Sequence, residues 1–348
     1  MTVTAGAPGD LHPPASDEAL EERLSRPSAS LTRQLAAVPG DIVILGAGGK
    51  MGPSLARMAR RADPTRRIVA VSRWSDERVA QRLRDDGVET HRADLLDPRA
   101  VAALPDAANL VFMAGQKFGT SDSPAATWAM NATVPAFVAE RYAAVRTVVF
   151  SSGNVYPLSR ASDGGSRETD PPSPVGEYAF SCLARERIFT AAAARHRTPL
   201  AIVRLNYAHD LRYGVLTDLA TRIARGETVS RTMGFVNVIW QGDANRLSLA
   251  ALAHATATDP FIVNLAGRET LRIADLAHRI AAALGMVVQL EGTEAADALL
   301  SNASRSAMLL PDPLLPVDTL VSWVADWIRR GGTLLGKLTQ FERRDGQF

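Results

Sequence analysis

The chain has 348 residues, of which 46% are hydrophobic and 22% charged, with Lys+Arg 39 against Asp+Glu 37 and a formal net charge of +2. That balance suits a large folded core, not a disordered or fibrous chain, and the scattered basic residues give no block for a nucleic acid. A single cysteine forbids an intramolecular disulfide, and no apolar run approaches the roughly 20 residues that span a bilayer.

The first 16 residues are small, polar and rich in Pro and Gly, and read as a loose tail without the features of a secretion signal; a cytoplasmic protein is expected. A helical approach from Asp17 to Val38, interrupted at Pro27, leads to the fold proper near Gly40. From there DIVIL, RIVAVS, VETHRAD, NLVFMAG and RTVVFSSG read as strands separated by helical stretches, among them LARMARRA, SDERVAQRLRDDG, DPRAVAAL and a long one from Ala125 to Val145. The alternation predicts an α/β fold, a doubly wound parallel sheet of the Rossmann type. Pro157 to Gly176 is a loop of a length that suits a lid, and a helix over Glu177 to Arg195 precedes the strand PLAIVRLN.

Beyond Asn206 the chain reads as FVNVIW, a helix from Asp243 to Ala257, FIVNLAG, a helix from Ile273 to Leu284, VVQLEG, and a last helix from about Val317 to Arg330. Three divisions are expected: 1–39 as tail and approach helix, 40–206 as a dinucleotide-binding domain, and 207–348 as a smaller substrate-side lobe interleaved with the sheet.

The first strand runs directly into GAGGKMG, residues Gly46 to Gly52. Glycines at 46, 49 and 52 allow a tight turn and let the backbone of this stretch, Lys50 and Met51 included, approach a pyrophosphate lying on the N-terminus of the next helix. The second strand ends in Ser72 and Arg73 where an acidic residue would accept from the ribose hydroxyls of NAD. A hydroxyl and a guanidinium there favour the 2′-phosphate of NADP, with NAD the alternative and a plain surface arginine a third reading. Asp94, after the third strand, is placed for the adenine edge or for a helix cap. No histidine joins cysteines or carboxylates at ligand spacing, so no metal is expected.

These residues, in this order, resemble the extended short-chain dehydrogenase/reductase family, in its NAD-dependent epimerase/dehydratase branch, over about residues 41 to 330. The resemblance rests on Gly46, Gly49 and Gly52, on Asp94-Leu95, on Ala114-Gly115 after the fourth strand, on Asn131 in the following helix, and on Ser152 in FSSGNVYP. It extends through Glu168, Pro171, Pro174 and Tyr178 in ETDPPSPVGEY, and through FVNVIWQGD and FIVNLAG. It implies a nicotinamide cofactor held by those residues, with Tyr178 and the residue one turn later at its ribose. It also implies a carbohydrate-type substrate (sugar, sugar acid or nucleotide sugar) whose hydroxyl or ketone exchanges hydride with the cofactor and a proton with Tyr178. Ser152 would orient the substrate oxygen, and a homodimer through paired helices is implied as well.

Two positions depart from the pattern. The family's Tyr-x-x-x-Lys is Tyr178-x-x-x-Cys182 here, and Asn206 stands two residues after Arg204 where three are usual. A phenol has a pKa near 10, and the missing lysine's charge is what favours its phenolate. Cys182 shares the helix face of Tyr178 but brings no charge, and reads as a buried filler or a thiolate. Lys117, just after the fourth strand, is the best-placed substitute cation. Arg204, Arg212 and Arg231, with Asn206, are candidates for an anionic substrate group. The alternative is a non-catalytic dinucleotide sensor or scaffold.

Overall fold

The computed structural model describes residues 12–337 and 339–347. The tail expected over residues 1 to 16 lies outside the described residues as far as residue 11. Residues 12–16 are tied down: Arg330 donates to the carbonyls of Pro14 and Ala15, and Ser16 caps the helix Asp17–Leu24 by accepting from the Ala19 amide. That helix and a second, Ala29–Ala36, are the expected approach segment, broken around Pro27 because proline cannot continue the helical hydrogen-bond ladder.

Seven parallel strands form the central sheet, in the spatial order Phe261–Leu265, Leu200–Leu205, Arg146–Ser152, Asn109–Phe112, Ile42–Leu45, Ile68–Ser72, Glu89–Arg92. The inner strands are apolar on both sides because helices cover both faces. Ile42, Ile44, Val148, Val203 and Val263 face the helices Ala29–Ala36, Gly52–Ala62 and Gln241–His254; Val43, Leu45, Leu110, Phe112 and Ile202 face the side with Val134–Arg141 and Gly176–His196. Strand order reverses between Ile42–Leu45 and Asn109–Phe112. A ligand crevice opens beyond the carboxyl ends of the strands at such a switch.

After Asn206 the chain leaves the sheet and rejoins it only for Phe261–Leu265, which pairs in register with Leu200–Leu205. Segments on either side of that strand form a lobe with its own core around Leu219, Ile223, Ile280, Val324 and Trp323. FVNVIW is not one strand but two short pairings, Phe235–Val236 with Leu271–Arg272 and Ile239–Trp240 with Ala208–His209, split at Asn237, whose amide donates to the carbonyls of Gly267 and Ser301. Sequence reading also passed over the helix Val215–Ala224, although its buried residues Val215, Leu216, Leu219, Ala220 and Ile223 carry helical spacing.

The long helix expected from Ala125 to Val145 ends at Arg141 and is interrupted by a π turn, Ala129–Thr133. Pro135 explains the interruption: it lacks the N–H that would bond the Asn131 carbonyl, and the chain adapts with a wider turn in which the Val134 amide bonds the Ala129 carbonyl.

Candidate functional site

The glycine loop has the shape a pyrophosphate needs. Gly46 lies at φ +88°, and a Cβ there would strike the backbone of Ala114; a Cβ on Gly52 would strike Ala47, so the helix Gly52–Ala62 starts flush against the turn. Gly49 faces open space, with only the Gly46 carbonyl oxygen 3.4 Å from where its Cβ would be. The backbone between these close contacts is therefore left bare, and the loop fits a dinucleotide. Met51 is buried at the start of the helix.

At the end of the second strand Ser72 packs over Gly48, and Arg73 is exposed. Arg92 reaches the backbone carbonyl of Arg73 and pairs with Glu77 at 2.6 Å, so its guanidinium lies beside the end of the second strand. Asp94 is exposed and accepts from the Leu96 amide at 3.1 Å, with Leu95 buried behind it.

Ala114 and Gly115 follow the fourth strand. Gly115 leaves room for the Arg185 guanidinium, which donates to Asn131 Oδ1 at 2.7 Å and to the Phe150 carbonyl at 2.8 Å. Asn131 in turn accepts from the Gln116 amide and donates to the Gln116 carbonyl and Ser181 Oγ. The π turn is thus bolted to the loop after the fourth strand and to the Tyr178 helix.

Ser152, Tyr178, Lys117 and Cys182 come together. Ser152 Oγ caps the next turn, accepting from the Asn154 amide at 3.1 Å and donating to Asn154 Oδ1 at 2.9 Å, and it hydrogen-bonds Tyr178. Burial pushes the Tyr178 phenol well above its usual range and a Cys182 thiolate would push it further; the Ser152 hydrogen bond and the Arg185 charge act the other way. Lys117 Nζ lies 5.7 Å from the Tyr178 ring centroid and 5.9 Å from that of Phe118. Burial lowers its pKa to about 8. Cys182 is 1% exposed and packs with Val155 and Tyr156; burial raises its thiol, which stays neutral.

Lys50 does not stay over the glycine loop. Its ammonium crosses to the lobe, donating to the Ala208 carbonyl at 2.9 Å and lying 4.0 Å from the Tyr213 ring centroid. Burial lowers it to about 8 against the opposing pull of Asp210.

Of the three arginines expected to hold an anion, none is drawn into this group. Arg204 is buried and paired twice with Glu186, at 2.9 and 2.7 Å, and donates to Tyr156 at 2.7 Å. Arg212 is held by Asp210 and Glu21, at 2.9 and 2.7 Å. Arg231 donates to the Gly292 carbonyl on the surface of the lobe. Asn206 is buried beside Gly153, donating to Asn237 Oδ1 and the Leu299 carbonyl. Sequence reading missed Arg185 and Asn154. Arg185 had a signal, seven residues and two helical turns after Tyr178 on the same face.

Comparison with known proteins decides the family. The model of the NAD dependent epimerase/dehydratase family matches residues 42–266. The chain belongs to that family. Among curated proteins none matches in sequence. Solved structures share the epimerase/dehydratase fold: MoeE5 in complex with UDP-glucose and NAD is 20% identical with a TM-score of 0.68, covering 84% of this chain and 99% of that one. Pal from Bacillus thuringiensis is 17% identical with a TM-score of 0.70, covering 83% and 99%. UDP-glucuronic acid 4-epimerase from Bacillus cereus, with UDP-glucuronic acid and NAD, is 15% identical with a TM-score of 0.68, also covering 83% and 99%. No helix among the described residues of this family member is long and apolar enough to cross a membrane.

Proposed function

We propose that the protein is an NAD(P)-dependent oxidoreductase or epimerase acting on a hydroxyl or ketone of a carbohydrate-type substrate. One observation carries the reading: Ser152, Tyr178 and an ammonium group from a different element, Lys117, meet at the carboxyl ends of the strands. The dinucleotide, bound over residues 46–52 with its ring toward Tyr178, would take up or return a hydride at the substrate carbon. In oxidation the substrate O–H proton passes to the Tyr178 oxygen as the C–H bond breaks; in reduction Tyr178 returns it to the carbonyl oxygen. Ser152 turns its one proton from Asn154 toward the substrate oxygen. Lys117 supplies the positive charge that a deprotonated Tyr178 requires, with Arg185 behind it.

Arg73 and Arg92, with no carboxylate directly after the second strand, support NADP over NAD. Trp128 and Phe180 are exposed on neighbouring helices, which supports pairing of two copies through that face. Cys182 in the lysine's place favours the second reading, a dinucleotide sensor. The test is incubation with NADP or NAD and a panel of sugars, sugar acids and nucleotide sugars, following nicotinamide absorbance and product stereochemistry by NMR. Conversion supports the enzyme; tight cofactor binding without conversion of any panel member sinks it in favour of the sensor.

A further inference from the structure

The lobe begins with a tight turn. Tyr207, at φ +44°, leads out of the strand Leu200–Leu205, Ala208–His209 pairs with Ile239–Trp240, and Asp210 and Tyr213 exchange both backbone hydrogen bonds, at 2.9 and 3.3 Å. The Thr217 hydroxyl donates to the Asp210 carbonyl at 3.2 Å, which ties the turn to the helix Val215–Ala224 in the core of the lobe. Gly214 has no room for a side chain, since a Cβ there would strike the His209 ring. Residues 207–214 are thus braced to move with the lobe.

Lys50 holds this turn from the side of the glycine loop. Its backbone lies within Gly46–Gly52, while its ammonium donates to the Ala208 carbonyl at 2.9 Å and stands 4.0 Å from the Tyr213 ring centroid. Drawing an ammonium away from water has a cost: burial lowers its pKa to about 8, with Arg212 and Lys117 acting the same way and Asp210 and Asp218 opposing. The carbonyl, the ring and those carboxylates offset the cost, and they select one placement from the many open to a flexible lysine. A second tie reaches the turn from the other side. Arg212 pairs with Asp210 at 2.9 Å and with Glu21 at 2.7 Å, and the next residue of that helix, Glu22, pairs at 2.7 Å with Arg61. Lys50 precedes the helix Gly52–Ala62 and Arg61 closes it, so the lobe turn is joined to both ends of the helix that the glycine loop opens.

We infer that Lys50 is a positioning residue that couples the cofactor seat to the lobe: a dinucleotide that orders the glycine loop also orders residues 207–214, and with them the substrate side of the crevice. The inference rests on the dinucleotide reading of residues 46–52. It gives Lys50 no contact with the substrate or the reacting atoms. The coupling is reciprocal, so whatever fixes the lobe tightens the cofactor by the same factor.

Hydrogen exchange of the full chain, read by mass spectrometry without cofactor and with NADP or NAD, tests the coupling. In wild type the cofactor should slow exchange at 46–56, and at 207–216 by roughly fivefold or more, the lower range of measured couplings between sites. Lys50→Met should keep the slowing at 46–56 and lose most of that at 207–216, and Lys50→Arg should restore part of it. Circular dichroism checks that the variants fold. Tyr213→Leu, which leaves the glycine loop untouched, should lose the same response and serves in place of a Lys50→Met that does not fold. A lysine that only braces the fold would speed exchange at 207–216 equally with and without cofactor, and that result overturns the inference. So does a cofactor response at 207–216 that Lys50→Met leaves intact. A loss at 46–56 as large as that at 207–216 overturns it too, since the ammonium would then be a ligand of the pyrophosphate itself. A wild type whose segment 46–56 ignores both dinucleotides overturns the dinucleotide reading, and the inference with it.

Discussion

Lys117 Nζ stands 5.7 Å from the ring centroid of Tyr178, reaching the phenol from the loop after the fourth strand and not from the phenol's own helix. On the proposed reading, the charge that the family places one turn away along that helix is delivered here by Lys117 from across the crevice. Lys117→Met should lower kcat by roughly a hundredfold or more, the scale of a lost acid–base contribution, with a smaller change in cofactor affinity. Lys117→Arg should retain part of the rate. Steady-state kinetics with a substrate from the panel, and fluorescence titration of cofactor, check both.

The rate should depend on pH through the same lysine. With a pKa of about 8, Lys117 is charged below that value and loses its proton above it. Oxidation by Tyr178 should therefore fall above about pH 8, and in Lys117→Arg the falling limb should move to higher pH. Stability runs the opposite way. The folded-state pKa lies below the unfolded value near 10.4, so the folded chain binds fewer protons between about 8 and 10.4 and gains stability as pH rises through that window. Thermal melts of wild type and Lys117→Met should differ most at neutral pH and converge near pH 10. A rate that keeps rising past pH 9 would contradict the assignment.

Cys182→Lys tests whether the missing lysine is missed. The site is 1% exposed, and Arg185 and Lys117 already act on it. A third cation there is costly to bury, so the variant should be less stable and less active than wild type. Cys182→Ser should cost under about tenfold in rate, as it keeps a small acceptor for the phenol. Strong activation by Cys182→Lys, measured with initial rates at saturating cofactor, would show that Lys117 does not fill the role.

The segment 341–347 reaches the start of the Tyr178 helix. Gly346, at φ +72°, and Gly176, at φ +81°, lie so close that a Cβ on either would strike the other's backbone or that of Val175. Arg344 fixes the segment by donating to Asp297, and Glu342 by pairing with Arg222. Gly346→Val should force this contact apart, lowering protection of amides 176–182 in hydrogen exchange and reducing kcat, with the central strands still protected.

Glu186→Ala should destabilise the fold by about 3–5 kcal/mol, the range for breaking a buried ion pair. It strips Arg204 of two hydrogen bonds and Ser151 of one at 2.5 Å. Urea denaturation measures the change; a loss below about 1 kcal/mol would mean that Arg204 finds water or another partner.

The residues that could be read directly were those whose signal is local. Gly46, Gly49 and Gly52 announce a tight turn within seven positions, and the apolar runs announce strands buried on both faces. Pro27 marks a break between helices. Arg204 was hard to read because its partner Glu186 is distant in sequence; Arg212 pairs with distant Glu21 but also with Asp210, two residues away, which was a local signal. The course of the Lys50 side chain was not legible, because its backbone belongs to the glycine loop and its ammonium reaches the lobe.

Periodicity and glycine spacing were enough to read a parallel sheet wound on both sides and the dinucleotide turn, because each depends on residues a few positions apart; the phenol and hydroxyl at its edge were expected only from the family resemblance. Which cation stands beside Tyr178, and which arginines are already neutralised, was decided by the folded chain alone. Coulomb attraction and desolvation act over a few ångströms of space, and only the packing of the loop after the fourth strand against the Tyr178 helix brings Lys117 within that range.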